Sequence, residues 1–291
     1  MANEGPWTIG RLLDWTRKYL QQKKVESWNL DAQLLLAHAL GCKRLEMFTR
    51  YEEEPTESQR AVFRDLVRQR VEGCPVAYLV GYKEFFSLEL EVGRDVLIPR
   101  PDSETVVTEF LTAAKSHPGP RVLDMGTGSG NLAVAIAKNC KLATVTTVDL
   151  SIAALIVARR NAARHNVTAQ ITFLPGDLFA PLPPDTVFDF LVSNPPYIPT
   201  EEVGRLEPGV RDYEPHLALD GGPDGFVVFD RIVSGAAAVL APGALLLIEI
   251  GSPQEAEAVR RVEADARYVL EGVVKDASGH PRVLRARRTS S

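Results

Sequence analysis

The sequence predicts a doubly wound α/β sheet, preceded by a small helical domain and joined to it by a β-hairpin. Three observations carry this. From Arg121 onward, short apolar strands alternate with helical stretches. A glycine-rich turn, Gly126-Thr127-Gly128-Ser129-Gly130, separates the first strand of that series from its first helix. The residues before Gly81 show helical periodicity only. At 291 residues the chain exceeds the usual single-domain size. Boundaries are expected at 1–80 for the helical bundle, 81–101 for the hairpin linker and 102–291 for the α/β domain.

In the helical part, Thr8 is placed to cap a segment whose Leu12, Leu13, Tyr19 and Leu20 fall roughly on one face. Asn29 is expected to cap the next, with Leu30, Leu34, Leu35 and Ala37 apolar and Gly41 at its end. Thr56 and Gln59 stand at capping-box spacing before Val62, Phe63, Leu66, Val67 and Val71. These stripes read as core packing. Phe86, Leu88, Leu90 and Val92 then alternate as in a half-buried strand. Gly93-Arg94-Asp95 is expected to turn that strand into a second one over Val96-Leu97-Ile98. Pro99 and Pro101 exclude helix around Arg100, and Asp102 or Ser103 is expected to cap a helix running to about Lys115. Strands are expected at Val122-Leu123, 143–148, 171–173, 188–192 and 244–250, with helices near 130–139 and 151–165 and an antiparallel edge from 268–286.

Composition narrows the function. A hydrophobic share of 45% with 24% charged residues suits a globular protein and leaves no run long enough for a membrane span. The formal net charge of -5 weighs against a nucleic-acid binder, which neutralises phosphates with a basic surface. Cys42, Cys74 and Cys140 are odd in number and far apart, without a Cys/His cluster. No metal site or disulfide framework is expected, and each reads as a small apolar residue. The start, MANEGPWTIGRLLDW, resembles neither a signal nor a transit peptide, so a cytoplasmic location is expected.

The chemistry gathers at the strand ends. The spacing Gly-x-Gly-x-Gly at Gly126, Gly128 and Gly130 lets the backbone approach a ligand closely, but it lacks the dinucleotide pattern and a Walker lysine. That favours a phosphate-free nucleoside. Asp149 ends the next strand, where an acid accepts hydrogen bonds from ribose hydroxyls. Asp177, in Gly176-Asp177-Leu178-Phe179, follows the third strand and lies toward the adenine end of such a ligand. Asn194-Pro195-Pro196-Tyr197 follows the apolar strand Phe188-Asp189-Phe190-Leu191-Val192. Its prolines remove two donors and leave carbonyls free, the asparagine adds an amide oxygen, and the tyrosine offers a flat ring. This set suits a planar NH₂ group, either an amide or an aromatic amine. Acceptors that draw its hydrogens aside favour pyramidalisation as a methyl group arrives.

These residues look like a class I, Rossmann-like methyltransferase of the amino-methylating kind. The match is closer still in 75–81, Glu84-Phe85, 97–104 and 213–225, which resemble the release-factor glutamine methyltransferases (PrmC/HemK) over nearly the whole chain. The resemblance implies methyl transfer from S-adenosyl-L-methionine, leaving S-adenosyl-L-homocysteine, to the glutamine of the Gly-Gly-Gln loop of bacterial peptide-chain release factors. It implies that Gly126, Thr127, Gly128, Ser129, Gly130 and Asp149 hold the cofactor, with Asp177 and Leu178 near its adenine. Asn194, Pro195, Pro196 and Tyr197 hold the glutamine amide, with Asn194, Pro195 and Tyr197 acting in catalysis and Asn194 also touching the cofactor. The helical domain is expected to recognise the protein substrate, and neither nucleic acid nor membrane is an expected partner. Met125 and Asn131 depart from the family's usual leucine and small residue. Arg100 and Glu104 fit an ion pair buttressing the pocket, or a plain helix-start role for Glu104. Phe85 fits a pocket wall or simple hairpin packing, and Glu249 and Gly251 read as supports of the sheet. Two other readings stay open: glutamine methylation of a ribosomal protein, and methylation of the adenine amine in DNA.

Overall fold

Thr8 caps the first helix, α1 (Ile9–Gln22), its hydroxyl accepting the Arg11 N–H at 3.3 Å. In α2 (Trp28–Leu40) the cap position belongs to Ser27. Asn29 lies inside the first turn, where its side-chain oxygen takes the Gln33 amide at 3.2 Å. That i, i+4 bond occupies the acceptor a cap would need. Gly41, at φ +68°, ends the helix. The short α3 (Arg44–Thr49) leads to α4 (Glu57–Val71), entered through a reciprocal capping box. The Gln59 N–H donates to the Thr56 hydroxyl at 3.2 Å, and the Thr56 N–H donates to the Gln59 side chain at 2.9 Å. Thr56→Ala is therefore expected to cost about 1 kcal/mol in a denaturant titration. With α5 (Val76–Val80), these helices bury Ile9, Leu13, Leu20, Leu35, Leu36, Phe63 and Val67, whereas Val62 is exposed.

Strands β1 (Tyr82–Phe85) and β2 (Leu88–Glu91) form an antiparallel hairpin in which Phe85 faces Leu88. The turn is therefore Phe86–Ser87, at φ +49° and +59°, and not Gly93–Asp95. The Phe86 N–H is held by the Glu104 carboxylate at 2.8 Å, an anchor that offsets the cost of two side chains in the left-handed region. Gly93 does begin a turn, with the Val96 N–H on its carbonyl at 3.1 Å, but no strand follows. After a 3₁₀ turn at Pro101–Ser103 comes α6 (Glu104–Ala113), which has no side-chain cap.

The main sheet then unfolds in alternation: β3 (Arg121–Met125), α7 (Asn131–Asn139), β4 (Thr144–Asp149), α8 (Ile152–Arg164), β5 (Ile171–Pro175) and β6 (Phe188–Ser193). Short helices α9 (Thr200–Val203) and α10 (Pro208–Arg211) precede α11 (Val227–Val239), in a stretch to which sequence reading assigns no element. The chain closes with β7 (Leu240–Glu249), α12 (Glu255–Glu263), β8 (Tyr268–Lys275) and β9 (Pro281–Arg288). The strand order is β5-β4-β3-β6-β7-β9-β8, parallel through β7 and antiparallel thereafter. Strand direction along the chain reverses its spread between β3 and β6, and crevices at such switch points hold ligands.

Period-two alternation sends neighbouring side chains to opposite faces. Val122, Phe190, Val192, Leu245 and Leu247 pack with α6, α7 and α8 through Phe110, Ile136 and Ala158. Leu123, Leu191, Leu246 and Ile248 pack with α11 and α12 through Phe229, Ile232 and Val262. Both faces are covered, as a doubly wound sheet requires. The computed structural model describes residues 6–290, so the expectations for Met1–Gly5 lie outside the described residues. By internal contacts the chain divides into two compact units: Met1–Gly81 with Pro208–Tyr213, and Tyr82–Glu207 with Glu214–Ser291.

Candidate active site

At the carboxyl end of β3 the chain turns through Gly126, Gly128 and Gly130, at φ +78°, +54° and +80°. Other residues are strained in that region, which accounts for three alternate glycines. The turn is tied to β4, the Gly126 N–H donating to the Val148 carbonyl at 2.8 Å. Asp149, ending β4, accepts the Gly128 N–H and, two residues on, the Ser151 N–H, each at 2.8 Å. Burial raises the pKa of the Asp149 carboxyl above its ordinary value, and these two N–H groups offset that rise only in part. Ser151 itself caps α8, accepting the Ala154 N–H at 3.1 Å. On the far side, Asn161 of α8 donates to the Ser129 carbonyl at 2.8 Å and to the Glu91 carbonyl at 3.0 Å.

Beneath the turn lies Asp124, fully buried, accepting the Thr127 hydroxyl at 2.7 Å. Its other oxygen has no hydrogen-bond partner among the described residues. Burial, offset by the Thr127 hydrogen bond and reinforced by the Asp149 charge, lifts its pKa to about 7. A carboxyl raised from its unfolded value of 3.8 stabilises the fold below that value and loses the contribution as pH rises through about 7. Asp124→Asn is thus expected to gain on wild type by about 2 kcal/mol between about pH 5 and pH 8. Urea midpoints at both pH values check this, and an unchanged difference would refute it.

A cavity of about 250 Å³ opens above the turn. Gly126, Thr127, Gly128, Ser129, Asp149, Asp177, Leu178, Asn194 and Pro196 all line it. Gly130, Pro195 and Tyr197 do not. A Cβ on Gly130 would lie 3.0 Å from that of Ala158, so this glycine packs the turn onto α8. Asn131, at the start of α7, lines the cavity although its residue type suggests nothing. The Asp177 carboxylate binds Arg231 of α11 at 2.7 Å, a partner no local spacing reveals.

The front wall comes from two distant segments, Asp95–Arg100 and Pro215–Ala218. Arg100 does not pair with Glu104. Its guanidinium holds Glu214 at 2.5 Å, and the same carboxylate accepts the Ile98 N–H at 3.1 Å. Glu104 is committed to Phe86, as described above, and Phe85 sits in the core beneath the hairpin, 1% exposed. Three carboxylates, Asp95, Asp149 and Asp177, line the cavity. Its two cations, Arg100 and Arg231, are each already bound to a carboxylate. That balance opposes a phosphate and suits a nucleoside ligand with positive charge.

Beyond β6, the Asn194 side-chain nitrogen donates to the Ser103 hydroxyl at 3.0 Å, which leaves Oδ1 as the free acceptor of that amide. Ser103 is therefore no helix cap; its hydroxyl serves Asn194 instead. The segment after Leu219 clamps the tetrapeptide from behind, with the Gly221 N–H on the Ile198 carbonyl at 2.8 Å. A Cβ on Gly221 would come within 2.7 Å of the Pro196 carbonyl oxygen, so only glycine fits. The Tyr197 carbonyl accepts the Gln254 amide at 2.9 Å, and burial lifts the Tyr197 phenol to about 12, keeping it neutral. Among the described residues no cluster of metal-ligating side chains occurs, and no helix is long and apolar enough to cross a membrane.

The family model of the PrmC N-terminal domain matches residues 11–81, and that of the methyltransferase small domain matches 103–205. The release factor glutamine methyltransferase of Rhodopirellula baltica is 43% identical over 287 residues, covering 97% of both chains. The enzyme of the same name from Geobacter sulfurreducens is 42% identical over 281 residues, again with 97% of each covered. A methyltransferase crystal structure from Pyrococcus furiosus, 19% identical, superposes with a TM-score of 0.53 over 77% of this chain and 98% of its own, a likeness of fold. Identity of this order, sustained through both the helical and the α/β parts, makes the chain a member of the release factor glutamine methyltransferase family.

Proposed function

We propose that the protein transfers a methyl group from S-adenosyl-L-methionine to the side-chain amide nitrogen of the glutamine in the Gly-Gly-Gln motif of bacterial peptide-chain release factors. The observation that carries the reading is the Asn194 amide, whose nitrogen is bound to Ser103 and whose oxygen is left to accept, beside the cavity lined by the glycine turn and Asp149. When bound, the cofactor supplies an electrophilic methyl group on a sulfonium centre. Gly126, Thr127, Gly128 and Ser129 would hold it by close backbone approach, with Gly130 packing the turn onto α8, and Asp149 would accept from its ribose. Asp177 and Leu178, which line the same cavity, would lie toward its adenine.

The chain's part in the transfer is orientation. Asn194 Oδ1 and the Pro195 carbonyl accept the two hydrogens of the glutamine NH₂, and Pro196 shapes the turn that aims them. The neutral Tyr197 ring packs against the amide plane. Held this way, the nitrogen loses conjugation with its carbonyl and gains nucleophilic character. As the N–C bond forms and the S–C bond breaks, the nitrogen becomes cationic and its surplus proton passes to solvent. No strong base is required before transfer. The helical unit serves substrate recognition in this reading, supported by a groove there among Trp7, Trp15, Tyr19 and Phe63, edged by Arg60 and Arg64.

The test incubates the protein and labelled cofactor with release factor, ribosomal protein and DNA in parallel and maps the labelled residue. Label on the Gly-Gly-Gln glutamine is expected. Label confined to a ribosomal protein or to adenine would overturn the reading.

A further inference from the structure

The loop between β5 and β6 carries a leucine, Leu178, at φ +48°, a conformation that a bulky side chain adopts only where its surroundings hold it. The residues on either side of it are held by one helix. Arg231 and Gly235 stand four positions apart on the same face of α11. Arg231 binds the Asp177 carboxylate at 2.7 Å. Gly235 makes room for the Phe179 ring, since a Cβ there would lie 2.4 Å from it. Upstream, the Gly176 N–H is fixed on the Asp149 carbonyl at 3.0 Å. Asp177, Leu178 and Arg231 all line the cofactor cavity, so α11 sets the shape of that wall.

The ion pair decides what this wall can recognise. Arg231 takes Asp177 Oδ2, and Oδ1 has no hydrogen-bond partner among the described residues. The neighbouring Asp230 is bound by Arg261, which leaves Arg231 to Asp177. Both members of the pair are half-exposed, at 50% and 51%, and a pair so open to water adds little to stability. What it does order is a carboxylate at the edge of a binding cavity. An ionised carboxylate can only accept hydrogen bonds. A purine presents at its 6-position either an amine, which donates, or a carbonyl, which accepts. Oδ1 suits the first and repels the second.

We propose that Arg231 is a positioning residue that aims Asp177 at the exocyclic amine of the cofactor's purine, so that the protein selects an adenosyl over an inosyl cofactor. Arg231 acts through Asp177 and makes no contact with the purine itself. The inference rests on the reading of Asp177 as lying toward the adenine.

Calorimetric titration of the full chain with S-adenosyl-L-homocysteine, and with its deaminated analogue S-inosyl-L-homocysteine, tests it. Wild type is expected to prefer the adenosyl ligand by about tenfold or more, the usual worth of a hydrogen bond to a charged acceptor. Arg231→Ala is expected to bind the adenosyl ligand about five- to tenfold more weakly, and the inosyl ligand within about twofold of wild type. Arg231→Lys, which keeps a cation in reach of Asp177, is expected to restore most of the preference. Asp177→Asn is expected to erase it, because an amide can turn either oxygen or nitrogen to the purine. Adding Arg231→Ala to Asp177→Asn should then change the ratio no further. Melting temperatures of all variants are expected to stay within about 3 °C of wild type. Equal losses for both ligands in Arg231→Ala would make it a plain wall residue and overturn the inference, as would an unchanged preference or additive effects in the double variant. Wild type that binds both ligands equally would also overturn it, by taking the purine amine away from Asp177 while leaving the functional reading intact. Wild type that binds neither ligand would overturn the functional reading and this inference with it.

Discussion

Asn194→Ala is expected to lower the single-turnover rate of methyl transfer by about 10²- to 10³-fold, with cofactor affinity held within about threefold. The size follows from what the side chain does. An amide nitrogen is a poor nucleophile because its lone pair is shared with the carbonyl, and Asn194 Oδ1 is one of two acceptors proposed to draw it out of conjugation. Alanine deletes that acceptor and leaves the Ser103 hydroxyl without the donor now 3.0 Å away. The cofactor cavity keeps its glycine turn, Asp149 and Asp177. Rate and affinity should therefore separate. A near wild-type rate at saturating cofactor would remove Asn194 from the chemistry, and a parallel collapse of cofactor affinity would recast it as a cavity wall.

Glu214→Ala is expected to destabilise the fold by about 3–5 kcal/mol and to weaken cofactor binding by more than about tenfold. The Glu214 side chain is 2% exposed and has two dependants, the Arg100 guanidinium and the Ile98 N–H. Removing it strands a guanidinium that is only one-third exposed, together with a backbone donor on a buried residue. Both belong to the segment that walls the cavity with Pro99 and Arg100, opposite Pro215 and Leu217. Glu214→Gln keeps an acceptor and should recover about half of the loss. Urea midpoints and cofactor titration check both variants, and a shift below about 1 kcal/mol for the alanine would show that the wall stands without this carboxylate.

These two residues also mark what a sequence can and cannot tell. The Asn194 tetrapeptide is legible because its chemistry is local: four adjacent residues share one turn, and prolines announce free carbonyls. The βα alternation and the capping box at Thr56 and Gln59 are legible for the same reason, since each depends on neighbours within a few positions. Glu214 is not, because its partner lies 114 residues earlier and nothing in local spacing pairs them. The nearer Glu104 looked the better candidate for Arg100, yet it is spent on the Phe86 N–H. The hairpin turn was hidden differently: Phe86–Ser87 adopts a conformation usually signalled by glycine or asparagine, so the real glycine at Gly93 drew the turn to itself. Ser103 and Asn29 both looked like caps, because side chains that cap helices also serve any other nearby donor or acceptor.

The fastening of the glycine turn has a consequence for turnover. Asp149 grips it through Gly128, and Asn161 grips it through Ser129. A loop so braced has surrendered its freedom during folding, and little ordering remains to be charged to binding. Ligands that share the nucleoside but differ at sulfur then meet the same ready-made shape. The spent cofactor should bind nearly as tightly as the fresh one, so that the ratio of the two in the cell, rather than the supply of either alone, governs how fast release factors are modified.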